Sequence, residues 1–275
     1  MIQSLQDRIK LNNGVEMPGF GLGVYKAEEG KEVVEAVRTA VNHGYRLIDT
    51  ASFYGNETGV GEGIRETDVA REDLFITTKV WNDEQGYDET LRAFERSLER
   101  LNQEYLDLYL IHWPVKEHFQ DTWKAMERLY EEGVIKSIGV SNFHVHHLQK
   151  LFTKANVKPV INQIEYHPHL TQQEVKTFCD KEDIQMEAWS PLKRGRLFED
   201  PTITQIAERH GKSPAQVILR WDVQNHVITI PKSVTPSRIR DNADIFDFNL
   251  SEDEMDQINR MNQNDRTGMN PNEFD

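Results

Sequence analysis

The stretch YRLIDTASFYGNE (45–57) decides the fold. Its apolar run RLIDT reads as a β-strand that closes on Asp49, and Tyr54 follows five positions later in the loop that leaves it. Two further stretches end in the same way. LFITTK (74–79) closes on Lys79 and LDLYLIH (106–112) closes on His112. Side chains at the ends of successive parallel strands converge on one mouth, where a closed α/β barrel does its chemistry.

Working outward, the same alternation of short apolar and longer amphipathic runs fills the chain. Strands are expected at 20–24 (FGLGV), 46–50, 74–79, 107–112, 137–142 (SIGVSN), 160–165 (VINQIE), 185–190 (QMEAWS) and 227–233 (VITIPKS). Between them, KEVVEAVRTAVNHG (31–44) has helical spacing, with Val33, Val34, Val37 and Val41 on one face and Gly44 at the C-terminal cap. DETLRAFERSLERLN (88–102) repeats it through Leu91, Phe94, Leu98 and Leu101. Eight strand–helix alternations imply a parallel sheet closed into an (α/β)8 TIM barrel. Two additions depart from a plain barrel. IKLNNGVEM (9–17) reads as an N-terminal β-hairpin with an Asn-Gly turn, placed to plug the barrel bottom. PTITQIAERHG (201–211) reads as an extra helix before SPAQVILRWDVQ (213–224). No linker divides the chain, so residues 1–275 are expected to form a single barrel domain. The final TGMNPNEFD lacks periodicity and is expected as an irregular tail near the mouth.

Composition narrows the function. With 32 Lys and Arg against 46 Asp and Glu, the net charge of −14 disfavours a nucleic-acid partner. No apolar run approaches the roughly 18 residues of a membrane helix, and MIQSLQDRIKL has no signal-peptide core. Cys179 is the only cysteine, which rules out an intrachain disulfide and fits a reducing cytoplasm.

The chemistry of Asp49, Tyr54, Lys79 and His112 is specific. A Tyr hydroxyl with a pKa near 10 is a weak acid at neutral pH. A neighbouring Lys ammonium favours the phenolate and is expected to lower that pKa, while an Asp beyond it holds the Lys. A His beside the Tyr can polarise a carbonyl oxygen. Such a site accepts negative charge on oxygen and then delivers a proton, as carbonyl reduction demands. The hydride must come from a cofactor, because no side chain supplies one.

The motifs DTASFYGNE (49–57), TTKVW (77–81), LIHWP (110–114), GVSNF (139–143), NQIEYHP (162–168), AWSPL (188–192) and IPKSVTPSRIRDN (230–242) occur in order. Together they closely resemble the aldo-keto reductase superfamily, nearly end to end. The resemblance implies a barrel that binds NADPH without a Rossmann fold, with Asp49, Tyr54, Lys79 and His112 as the catalytic tetrad and Tyr54 as general acid. It implies that Ser141, Asn142 and Gln163 hold the nicotinamide carboxamide and that Trp189 stacks on the nicotinamide, with Ser190 and Leu192 also in the cofactor site. Lys232, Ser233 and Arg238 match the grip on the 2′-phosphate, and Asn242 a contact to adenine. Tyr25, Phe53 and Trp113 match substrate-pocket positions. A paired Lys and Arg suits a dianionic phosphate, which favours NADPH over NADH.

Other features read more plainly. GFGLG (19–23) and GVGEG (59–63) are not G-x-G-x-x-G. The His residues of HVHHL (144–148) would face different sides of a helix, so no metal site is expected. Cys179 reads as packing and His167 as structural. KRGR (193–196) either folds over the pyrophosphate, attracts an acidic substrate, or is simply solvated. The loop from Val115 to Phe119 is short, which predicts an open pocket. The resemblance is strongest to bacterial glyoxal, methylglyoxal and 2,5-diketo-gluconate reductases. It implies a cytoplasmic, monomeric reductase of small aldehydes and α-dicarbonyls, with a sugar-ketone reductase as one alternative. A second alternative, a cofactor-sensing regulatory or scaffold protein, is disfavoured by the complete tetrad.

Overall fold

Inside the barrel, inward-facing positions change from apolar to polar towards the ends of several strands, and this positions Asp49, Lys79, His112 and Gln163. A computed structural model describes residues 2–274. Eight strands run parallel in sequence order: β3 (Leu22–Gly23), β4 (Leu47–Asp49), β5 (Phe75–Val80), β6 (Leu108–Ile111), β7 (Ile138–Ser141), β8 (Ile161–Glu165), β9 (Gln185–Trp189) and β10 (Ile228–Thr229). Parallel bridges from Phe20 to Thr229 and from Gly23 to Lys232 join the first strand to the last and close the ring. Gly23 is needed at this seam, since a Cβ there would lie 2.8 Å from the Ile230 carbonyl oxygen. The expected (α/β)8 barrel is the observed fold.

Period-two alternation separates two cores. Leu47, Phe75, Leu108, Leu110, Ile161, Ile228 and Ile230 fill the lower barrel, while Ile48, Ile76, Tyr109, Ile111 and Ile164 face the helices. Asp49, Lys79, His112 and Gln163 continue the inward rows one or two steps further along their strands, and so reach the mouth. Below, the hairpin of β1 (Arg8–Lys10) and β2 (Glu16–Pro18) seals the barrel. Its Leu11 and Met17 join the inner core. Asn12 and Asn13 donate to the carbonyl oxygens of Pro159, Asp183 and Lys136.

The outer layer matches the helical spacing. It contains α1 (Lys31–Asn42), α2 (Glu57–Arg65), α3 (Tyr87–Leu101), α4 (Phe119–Glu131), α5 (Val145–Phe152), α6 (Gln173–Lys181), α7 (Pro201–His210), α8 (Pro214–Gln224), α9 (Pro236–Ala243) and α10 (Glu252–Asn259). The extra helix α7 begins with Pro201 after an Asp200 cap that accepts from Thr202, and α8 opens on a Ser213–Gln216 capping box. Among the described residues, no helix is long and apolar enough to cross a membrane.

Candidate active site

Asp49, at the end of β4, accepts from Lys79 Nζ at 2.6 Å. Lys79 projects from β5 and also donates to the Thr50 carbonyl at 2.9 Å and to Tyr54 Oη at 3.3 Å. Asp49 and Lys79 are buried, whereas Tyr54 sits half-buried on the short turn Ser52–Tyr54, facing the mouth. His112 follows β6, and its ring meets Tyr54 edge-on at 5.7 Å between centroids. The four predicted residues form one cluster.

Electrostatics assign their protonation states. Burial alone would lower Lys79, but the Asp49 carboxylate and Tyr54 raise it above its ordinary value, so the ammonium persists. His112 is held well below the usual imidazole range by burial and by Lys79, and is neutral. Its Nδ1 has no partner among the described residues, so Nε2 can carry the hydrogen. Tyr54 departs from expectation. Burial outweighs the pull of Lys79 and pushes the hydroxyl up to about 12 rather than down. Tyr54 therefore holds its proton at rest, and Lys79 acts by limiting how high that pKa climbs.

The adjoining wall is a continuous hydrogen-bond lattice. Asn142, in a left-handed conformation after β7, donates to the His112 carbonyl at 2.9 Å and accepts from Trp189 Nε1 at 2.8 Å. Ser141 Oγ donates to the Gln163 carbonyl at 2.8 Å, and the Gln163 amide donates to Asp49 Oδ2 at 2.8 Å. Ser141, Asn142, Gln163 and Trp189 thus line one side of the tetrad.

This geometry has close parallels. The sequence profile described as the Aldo/keto reductase family matches residues 19–263. The chain belongs to the aldo/keto reductase family. It is therefore an oxidoreductase of a family that uses a nicotinamide cofactor. It is 59% identical over 274 residues to a glyoxal reductase of Bacillus subtilis, covering 100% of this chain and 99% of that protein. It is 46% identical over 270 residues to methylglyoxal reductase DkgA of Escherichia coli, covering 97% of each. Among solved structures, a Gox0644 mutant in complex with NADPH superposes with a TM-score of 0.93 at 45% identity, over 99% of this chain and 98% of that one.

The donor set at the far end of the mouth suits a phosphorylated cofactor. Lys232 and Arg238 are exposed and, among the described residues, neither has a carboxylate partner, in a chain with a large acidic surplus. Ser233 Oγ accepts from Thr235 N, the residue that precedes Pro236 at the start of α9. The N-terminus of that helix adds backbone donors suited to an anion. Asn242 is buried further along α9. Ser190 takes a left-handed conformation, and Leu192 is half-buried against the outer core.

Tyr25 and Phe53 are exposed at the rim, and Trp113 is buried beside it. Two contacts at this rim have no counterpart in the sequence reading. Trp81 stacks on Phe53 at 3.7 Å and meets His112 edge-on at 5.0 Å. Phe274 stacks on Trp113 at 4.8 Å, and its carbonyl accepts from Lys116 N. The C-terminal tail thus lies over the short loop after β6. Glu165 anchors the tail by accepting from Thr267 N, Thr267 Oγ1 and Gly268 N at 2.6, 2.6 and 3.1 Å. Gly268 packs against Trp189 so closely that a Cβ would lie 2.5 Å from that ring.

KRGR is not simply solvated. Lys193 is buried and donates to Asp265, with His169 Nδ1 at 2.8 Å, so it ties the loop to the tail. Arg194 and Arg196 remain exposed. The His cluster also differs from expectation. His144 lies outside α5 as its extended N-cap, so helical face arguments fail, and one ring nitrogen from each of His144, His146 and His147 falls within 4.8 Å. Two of these rings are already engaged, however. His147 Nδ1 accepts from His144 N, and His144 Nε2 faces Arg266 at 3.0 Å, a cation that repels a metal. Cys179 is buried, with burial pushing its thiol up to about 12, so it is inert packing.

Proposed function

We propose that this chain reduces small aldehydes and α-dicarbonyls, glyoxal and methylglyoxal among them, with NADPH as hydride donor. The observation that carries the reading is the buried Asp49–Lys79 pair ending at the Tyr54 hydroxyl, with neutral His112 beside it. Bound NADPH supplies a hydride to the carbonyl carbon. His112 donates its Nε2–H to the carbonyl oxygen and orients it. Tyr54 gives its proton to that oxygen as negative charge develops, and Lys79 stabilises the resulting phenolate. Asp49 keeps Lys79 charged and directed at Tyr54, and solvent then returns a proton to Tyr54.

Ser141, Asn142 and Gln163 offer hydrogen-bonding groups for the nicotinamide carboxamide, and Trp189 a face for its ring. Lys232, Ser233 and Arg238 offer the 2′-phosphate site, with Asn242 beside adenine. The rim of Tyr25, Phe53, Trp81 and Trp113 is aromatic, and Lys193 is already paired. Both features favour compact uncharged carbonyls over a sugar acid. The test is turnover of methylglyoxal with NADPH and with NADH at equal concentration. Turnover confined to NADPH supports substrate class and cofactor together. Tight NADPH binding without turnover of any aldehyde would favour a sensor or scaffold instead.

A further inference from the structure

One ionisable group inside the barrel has no part in the chemistry above. Glu187, in the middle of β9, is fully buried and is the register partner of Gln163 on β8. The Gln163 amide nitrogen donates to Glu187 Oε2 at 2.9 Å as well as to Asp49 Oδ2 at 2.8 Å. An amide nitrogen carries two hydrogens, so both are committed, and the amide oxygen is left to receive a donor. The other Glu187 oxygen, Oε1, is buried with no hydrogen-bond partner among the described residues. Burying a carboxylate with a bare oxygen is far more costly than burying a neutral carboxyl.

We infer that Glu187 is a positioning residue of this site: a neutral carboxyl that, together with Asp49, sets the Gln163 amide and thereby the seat of the nicotinamide carboxamide. The inference rests on the NADPH-dependent reading of the site. The charged groups facing Glu187 are Asp49 on β4 and Lys79 on β5. Its pairing neighbours Gln163 and Ile228 carry no charge, and Tyr54 reaches the cluster through Lys79. Burial, and then the Asp49 charge, push the Glu187 carboxyl up to about 8, against the pull of Gln163 and Lys79. Above that pH a second carboxylate appears beside Asp49. It pulls the Gln163 amide towards Glu187 and away from Asp49, offsets the Lys79 charge, and opposes negative charge on Tyr54. Cofactor binding and turnover therefore both weaken as pH rises through about 8.

Glu187→Gln is an isostere of the protonated acid that cannot ionise. The dissociation constant of NADPH, read by quenching of tryptophan fluorescence, is measured across the alkaline range for wild type and E187Q, and kcat with methylglyoxal is measured in parallel. In wild type the constant rises about tenfold between about pH 7 and about pH 9.5, and in E187Q it stays within about twofold. Glu187→Leu removes one of the two Gln163 anchors and weakens NADPH about fivefold or more at neutral pH. Circular dichroism and melting establish that each variant folds, and if E187L does not, the E187Q profile decides alone. Superimposable wild-type and E187Q profiles would overturn the inference, with methylglyoxal turnover leaving the proposed function intact. A wild type that neither binds NADPH nor reduces methylglyoxal would instead remove the proposed function, and this inference with it.

Discussion

Replacing Lys79 by Met tests how the barrel makes Tyr54 an acid. The ammonium lies 3.3 Å from Tyr54 Oη. At an effective dielectric of about 20, its attraction for a phenolate there is about 5 kcal/mol. Removing it strands Asp49, whose buried charge then takes up a proton. That neutralisation also removes the weaker repulsion of Asp49, which lies beyond Lys79, and returns roughly half of the loss. The remaining deficit of about 2–3 kcal/mol corresponds to a kcat lowered about 30- to 150-fold. The assay is NADPH oxidation with saturating methylglyoxal, with NADPH affinity and melting temperature measured on the same preparations. The affinity should change little, because Lys79 faces the acid rather than the phosphate. A kcat within about threefold of wild type in a folded K79M would refute the electrostatic account of Tyr54.

Three further substitutions probe the rest of the site. Under the proposed function, Lys232→Ala and Arg238→Ala each remove a charge-assisted hydrogen bond to the 2′-phosphate. Each should weaken NADPH about 10- to 100-fold and leave NADH unchanged, as titration of both cofactors would show. Glu165, held down to about 2 chiefly by hydrogen bonds from His167, Thr267 and Gly268 that overcome its burial, anchors the tail. Its stabilising contribution is present above the unfolded carboxylate pKa of 4.5 and is lost as pH falls through about 2. Glu165→Gln should therefore lower stability by about 3 kcal/mol at neutral pH, with a deficit that shrinks in acid. Denaturant melts across that pH range check both the size and the sign.

The barrel was legible because the strands are short apolar runs, several of which lead directly into a polar residue, and the helices between keep a clear amphipathic period. Leu47 and Asp49 share an inward row, and so do Phe75 and Lys79, so strand ends alone bring the tetrad together. The shortest strands were overestimated. VITIPKS pairs regularly only at Ile228–Thr229, because Pro231 has no N–H to donate and only an isolated bridge at Lys232 continues the ladder. What the sequence could not convey depends on tertiary contact. The Phe274–Trp113 stack and the Glu165 anchor join segments far apart in the chain, and no local pattern announces them. Glu187 was legible in principle, since an acidic residue in the middle of a buried strand is a signal in its own right. The helix-face argument for the His cluster fails because His144 caps α5 instead of entering it. The Tyr54 shift was misjudged because burial, invisible in sequence, outweighs the neighbouring ammonium.

The central claim is that the Tyr54 hydroxyl delivers the proton in an NADPH-dependent carbonyl reduction. Tyr54→Phe removes that one oxygen and leaves the aromatic ring against Tyr25 and His112. The account predicts a kcat for methylglyoxal lowered by about 10²- to 10⁴-fold, with the NADPH dissociation constant within about twofold of wild type. A folded variant that retains near-wild-type turnover would contradict it.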